Sequence, residues 1–227
     1  MMHSNHLDYR ELLKLYRISE DDLRLIRAFG AQALERMDEL VERWYAWLEE
    51  MPDYEDFFSD PETLARVQKL QDGYWDLFMT AAVDDDYVSR RVMVGEAHAR
   101  IGLSLNTYFA GMNMFQELFN EVVRDGDFEE GERLATVDAV QNLLHFDTAI
   151  VVDTYNRLVE QTLTAQSRAL MEMSTPVTEI WEGLLFLPIV GIIDSRRSRD
   201  IMNATLSKIA DTQARIFILD ISGVGVV

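Results

Sequence analysis

The sequence contains no cysteine. That excludes disulfides, thiolate metal sites and cysteine nucleophiles, and it fits a reducing compartment such as the cytoplasm. Proline and glycine are scarce, 4 and 11 of 227 residues, so little interrupts long helices. Positive charge is also in short supply: 21 basic residues face 40 acidic ones, for a net charge of −19. Such a surface repels phosphate backbones and anionic lipid, which argues against nucleic acid and membrane as partners. Long apolar runs are missing too. The longest nearly uncharged stretch, Gly183 to Ile193, is too short to span a bilayer and contains Pro188. The opening residues, Met1 to His6, lack the basic and apolar regions of a signal peptide. No Ser/His/Asp set, carboxylate metal cluster or phosphate loop is visible, so the chain reads as a non-enzyme.

What is present is a core and a helical rhythm. Hydrophobic residues make up 48% of the chain, ample for one large or two modest domains. From Ser19 to about Ala169, apolar residues recur at three- and four-residue steps. Ser19 before Glu20, Asp21 and Asp22 predicts an N-cap, with a helix running toward Phe29. Further helices are expected over about 31–50, after Asp60-Pro61, over 87–103 and over 106–124. A very long last helix spans about 129–169. The character changes near Met173, and Ser174-Thr175-Pro176 marks a boundary. Residues 177–180 and 184–193 are strand-like, 196–210 read as an amphipathic helix, and 215–221 suit a buried parallel strand. The tail is therefore β-β-α-β.

Among the four histidines, His98 shares a helical face with Val94, Ile101 and Leu105, which directs its ring into an apolar interior. Taken alone, such a histidine is more often a core residue bonded to a carbonyl. Haem iron, however, needs one neutral imidazole in a dry pocket. Tyr45 lies on a face with Val41 and Leu48, and its phenol could donate a hydrogen bond inside the same pocket. The simpler reading of Tyr45 is a core tyrosine bonded elsewhere. His145, beside Phe146 and Asp147, is read as structural, because helical neighbours point about 100° apart. Asp147 falls on an apolar stripe with Val140, Leu143, Leu144 and Val151, so a bonded partner is expected in the core or at a dimer interface.

The segment Val94-Gly95-Glu96-Ala97-His98-Ala99-Arg100-Ile101-Gly102-Leu103, continuing to Tyr108-Phe109-Ala110-Gly111, resembles the proximal region of the globin-coupled sensors. Trp44-Tyr45, the run Gln71 to Phe78 and Phe146-Asp147 with Tyr155 resemble further signatures of that family. The resemblance covers about residues 15–165. It implies haem b held by His98 on the iron, with Tyr45 as the distal donor to dioxygen or another diatomic gas. It further implies pocket positions at Val67, Leu70, Val94, Ile101 and Tyr108, and a homodimer through the last two globin helices. Ser104-Leu105-Asn106 stands where the family commonly has a proline.

The tail, with Gly191-Ile192-Ile193-Asp194-Ser195 and Leu219-Asp220-Ile221-Ser222-Gly223-Val224, resembles the STAS domain of RsbR-type stressosome proteins. By that resemblance Ser195 is a phosphoacceptor, although it also stands where an N-cap serine belongs, directly before Arg196. A helix N-terminus with Arg196, Arg197 and Arg199 nearby is prepared for phosphate. The expected architecture is mainly α: a haem-binding sensor globin over 1–160, a linker helix over 161–175, and a truncated α/β STAS domain over 176–227. The resemblance implies a gas sensor of a stressosome, partnered by a STAS-only scaffold protein and a serine/threonine kinase. The alternative is a globin-like binding scaffold of the same assembly without haem.

Overall fold

The computed structural model describes residues 8–52, 54–173 and 177–225, the side chains of 168–173 apart. The boundary signal at Ser174-Thr175-Pro176 lies outside the described residues. Contacts divide the chain into two compact units, Met1–Val159 and Glu160–Val227.

The first unit is helical. A short α1 (Tyr9–Leu15) precedes α2 (Glu20–Glu35), α3 (Met37–Leu48), α4 (Tyr54–Phe58), α5 (Pro61–Thr80), α6 (Asp85–Ile101) and α7 (Leu105–Asp125). The last helix, α8 (Arg133–Met173), continues past Val159 into the second unit. The starts are chemically marked. Ser19 and Asp22 form a reciprocal capping box, Ser19 Oγ accepting from the Asp22 amide at 3.2 Å and Asp22 accepting from the Ser19 amide at 2.7 Å. Asp60 caps α5 with Pro61 at its first position, Asp84 caps α6, and Ser104 caps α7. The junction that lacks a proline is thus made by Gly102, left-handed at φ +71°, followed directly by the Ser104 cap.

One helix break falls later than the sequence suggests. The expected boundary near Phe29 is absent; α2 runs through Gly30 and ends at Glu35, and α3 starts at Met37. Gly30 serves packing instead. A Cβ there would stand 2.5 Å from the Met79 carbonyl oxygen, so its absence lets α2 seat against α5. The core of this unit is aromatic: Trp75 and Phe78 of α5 pack against Phe115 and Phe119 of α7, with the Trp75 and Phe115 rings 4.2 Å apart.

Within this apolar core lies one buried ion pair. Arg91 on α6 donates from Nε to Asp147 Oδ2 on α8 at 2.7 Å, and both side chains are almost fully buried. Tyr74 of α5 donates its hydroxyl to the same oxygen at 2.9 Å. The guanidinium lies between the Tyr74 and Tyr87 rings, 3.8 and 4.1 Å from their centroids. Burial opposes both charges, pushing the Asp147 carboxyl up, while Arg91 and Tyr74 pull it back. Arg91 stays firmly protonated beside that carboxylate. The partner expected for Asp147 is therefore inside the fold. Nearby, a Cβ on Gly95 would stand 2.7 Å from the Val151 carbonyl oxygen and 2.8 Å from Thr154 Cβ, so α6 lies close on α8.

In the second unit, β1 (Thr178–Trp181) pairs antiparallel with β2 (Leu184–Gly191), and β2 pairs parallel with β3 (Ile216–Val224) in the order β1-β2-β3. The connection from β2 to β3 is α9 (Ser195–Thr212). Along β2, Leu185, Leu187 and Ile189 are buried in the period-two pattern of a half-covered sheet. The expected burial of β3 is not found: Ile216, Ile218, Leu219 and Ile221 are all exposed. Since alternate residues of a strand point to opposite faces, neither face of β3 is fully covered among the described residues.

Three outcomes follow from this packing. Gly30→Ala should destabilise the protein by about 1–3 kcal/mol in urea unfolding, because the new methyl meets backbone. Gly73→Ala, on α5 with open space around the site, should stabilise it by about 0.5–1 kcal/mol. Arg91→Met should cost about 3–5 kcal/mol by stranding a buried carboxylate, and adding Asp147→Leu should restore most of that loss.

Candidate functional site

Helices α5 and α6 follow each other across a short turn, 81–84. Arg91 Nη2 reaches the Tyr74 carbonyl at 3.4 Å and so fixes their register near the turn. Moving toward the start of α5, one and two turns from Tyr74, brings Gln71 and Val67. Moving the other way along α6, two turns beyond Arg91, brings His98.

The state of His98 is fixed by one hydrogen bond. Its Nδ1 lies 2.9 Å from the Val94 carbonyl oxygen. A carbonyl only accepts, so Nδ1 carries the proton and Nε2 keeps its lone pair. Burial lowers the imidazole pKa, and the bond to Val94 only partly offsets this, so the ring is neutral at pH 7. His98 belongs to no cluster of three or more metal-ligating side chains among the described residues. It offers a single nitrogen, oriented from behind by the backbone.

The second polar group comes from α3. Trp44 donates from Nε1 to the Gly111 carbonyl at 3.0 Å, and a Cβ on Gly111 would stand 3.3 Å from the indole, so α3 is pinned to α7 here. Gly111 lies one turn beyond Tyr108, whose ring is 5.2 Å from that of His98. Tyr45, next to Trp44, is buried with its hydroxyl unpartnered. Burial, with Asp72 and Tyr54 nearby, pushes its pKa up to about 12, so the phenol is always a donor. A buried hydroxyl without a partner costs about 1–3 kcal/mol, which a ligand accepting from it would recover.

The remaining sequence-predicted positions divide. Tyr108 is buried beside His98, its hydroxyl also without a hydrogen-bond partner and its pKa raised by burial. Val67 and Val94 are half-buried. Leu70 and Ile101 are exposed, at 69% and 56%. Ile101 is the last residue of α6 before the Gly102 turn, so no following helical turn covers it. Leu70 lies one position from Gln71, about 100° round the helix, and turns outward as Gln71 turns in. Gln71, the first residue of the run that resembles a family signature, was not named as a site residue; its Oε1 is buried and unpartnered. A neutral, half-buried imidazole with its Nδ1 engaged by the backbone, beside the unpartnered Tyr108 hydroxyl and in a fold that also leaves the Tyr45 hydroxyl unpartnered, is a set of groups that fits a haem.

In the second unit, the cap of α9 is Asp194 rather than Ser195. Its carboxylate accepts from the Arg196 and Arg197 amides at 3.0 and 2.7 Å. Aspartate caps as well as serine, and here the helix starts one residue earlier than expected. Ser195 is consequently the first helical residue, exposed, with its hydroxyl released from capping. Arg199 Nε donates to the Ser195 carbonyl at 3.2 Å, and Arg197 Nη1 to the Ile192 carbonyl at 2.8 Å, which keeps both guanidinium groups near the serine.

Comparison with known proteins agrees with this architecture. The globin domain of a Geobacter sulfurreducens globin-coupled sensor superposes with a TM-score of 0.62 at 21% identity, covering 66% of this chain and 98% of that one. The globin domain of E. coli DosC, in its ferric form, gives 0.55 at 17% identity, covering 64% and 97%. Among curated proteins, the RsbT co-antagonist protein RsbRA of Bacillus subtilis is 23% identical over 85% of this chain and 70% of its own length. RsbRB of the same organism is 27% identical over 54% of this chain, which spans 45% of that relative. The likeness to RsbRA reaches beyond the globin unit, and the β-β-α-β tail is consistent with part of a STAS domain. The Protoglobin family model matches residues 5–160, more than half of the chain, and the chain belongs to that family.

Proposed function

We propose that the chain is a haem-based sensor of a diatomic gas, dioxygen foremost, which reports through its STAS segment to a stressosome and is not an enzyme. The observation that carries this reading is His98, half-buried and neutral, with Nδ1 engaged by Val94 and Nε2 free. Haem, when bound, supplies an iron atom that takes the gas. The chain's own residues do the rest. His98 Nε2 holds the iron, and the Val94 carbonyl orients the ring and strengthens it as a ligand. Tyr45 donates its phenol proton in a hydrogen bond to a gas that carries negative charge, which favours dioxygen over less polar ligands. Val67 and Val94, both half-buried, would line the haem pocket.

Transmission follows from how α6 is held. The helix that carries His98 is tied to α8 through Arg91–Asp147 and seated on it at Gly95. A displacement of His98 is therefore felt by α8, the helix that continues into the STAS unit. Two gas-dependent settings of α8 would bias the phosphorylation of Ser195 by a serine/threonine kinase. The assembly we infer is a cytoplasmic homodimer through α7 and α8, joined with a STAS-only scaffold. No helix among the described residues is long and apolar enough to cross a membrane.

Haemin added to the protein should produce a Soret band that His98→Ala abolishes or shifts. Without a Soret band in the unaltered protein, the cofactor-free scaffold is the better reading. The pH dependence has a definite sign. The folded imidazole is held below its ordinary 6.5, so its contribution is complete above that value. It is lost as pH falls through the lower folded value, where a proton takes Nε2, and haem should leave the protein over that acidic range. Mass spectrometry after treatment with the kinase and ATP should place phosphate on Ser195, with none in Ser195→Ala. Modification of Ser198 alone would move the acceptor by one turn.

A further inference from the structure

We infer that Tyr87 is the movable arm of a two-setting joint between α6 and α8, and that its hydroxyl closes on the free oxygen of Asp147 when gas binds. This deepens the proposed function by naming the regulation of its site, and it rests on that reading for the signal that moves α6. The Asp147 carboxylate is held through one oxygen: Oδ2 accepts from Arg91 Nε at 2.7 Å and from the Tyr74 hydroxyl at 2.9 Å. Oδ1 is buried without a partner, and so is the hydroxyl of Tyr87. Native folds leave few such groups unpaired. Here an acceptor and a donor stand open in one cluster, because Tyr87 lies near enough to help hold the carboxyl pKa down. Its ring is 4.1 Å from the Arg91 guanidinium and 6.2 Å from the ring of Phe146, the residue before Asp147. A bond between the two open groups completes the carboxylate, and a short movement of Tyr87 toward α8 makes it.

The geometry of α6 supplies that movement. The helix is unbroken from Asp85 to Ile101. It meets the backbone of α8 at Gly95, where a Cβ would stand 2.7 Å from the Val151 carbonyl oxygen. Tyr87, Arg91, Gly95 and His98 follow at helical spacing and share one side of α6. Gly95 is therefore a pivot. His98 lies one turn to one side of it and Tyr87 two turns to the other, lever arms of about 4.5 and about 12 Å. Movement of His98 away from α8 brings Tyr87 toward it, about two to three times as far. Arg91, one turn from the pivot, moves half as far as Tyr87, a distance its long side chain takes up while Nε stays on Oδ2. A pull on His98 is the input on the short arm, and the Tyr87 bond is the output on the long one.

The test uses the full chain with Tyr87→Phe, which keeps the ring over Arg91 and removes only the hydroxyl. Without haemin the joint is open. Tyr87→Phe should then melt within about 2 °C of the unaltered protein, whereas Tyr74→Phe should melt about 3–12 °C lower for its lost bond to a carboxylate. With reduced haem bound, the NMR signal of carbon-13-labelled Tyr87, identified by its loss in Tyr87→Phe, should shift when carbon monoxide is added. Tyr87→Phe should keep its Soret band but bind carbon monoxide and dioxygen each about tenfold more weakly, by linkage to the closed setting. The equal effect on both gases separates this joint from a group that touches the gas. A melting temperature for Tyr87→Phe as low as that of Tyr74→Phe would show the bond already made and overturn the proposal. So would a normal Soret band with gas affinities unchanged in Tyr87→Phe and a Tyr87 signal indifferent to carbon monoxide. A missing Soret band in the unaltered protein would overturn the haem reading and this one together.

Discussion

The Arg91–Asp147 pair is the interaction on which the first unit turns. Three helices meet at one carboxylate oxygen, α6 through Arg91, α5 through Tyr74, and α8 through Asp147 itself. An ion pair taken out of water gains little net stability over an apolar replacement of the same shape. Its value here is positional. Asp147 accepts only where the guanidinium and the phenol both reach it, so a slip of α6 by one turn would leave a buried charge unpaired. That constraint places His98 two turns further along and aims it from a fixed helix.

Part of this network is unspent. Asp147 Oδ1 and the Tyr87 hydroxyl are buried with no hydrogen-bond partner, although Tyr87 lies close to both members of the pair. A half-satisfied polar cluster between two helices has a second arrangement open to it, in which the free oxygen or hydroxyl is engaged instead. Such a cluster is a better joint than an apolar contact would be, because apolar packing tolerates small slides without a distinct alternative. The seat of Gly95 on Val151 and Thr154 adds the steric half of the joint.

The apolar parts of the fold follow a different rule. The Trp75–Phe115 cluster and the close seating of Gly30 on Met79 make the shell around α5 rigid. Val67 and Gln71 on the same helix are only half-buried. One helix therefore carries a packed face and a less covered one. In the second unit the exposed apolar side chains of β3 show a sheet covered on fewer sides than the sequence of the strand calls for.

Much was legible in the sequence because it depends on local rules. Helical periodicity, the cap at Ser19 and the β-β-α-β order are decided by residues close together in the chain, whereas residue type and face alone left His98 and Tyr45 as core residues and the family resemblance singled them out. The boundary expected near Phe29 falls beside Gly30, a glycine that admits a neighbouring backbone rather than ending a helix. Ser195 was taken for a cap because serine and aspartate compete for that role, and only the hydrogen bonds tell them apart. Arg91 as the partner of Asp147, and Gln71 as an unpartnered amide, could not be read at all. Sequence alone determined which chemistry each helix face carries. Tertiary structure decided which faces meet, since a contact between residues 56 positions apart depends on helix register and crossing, and no local pattern encodes either.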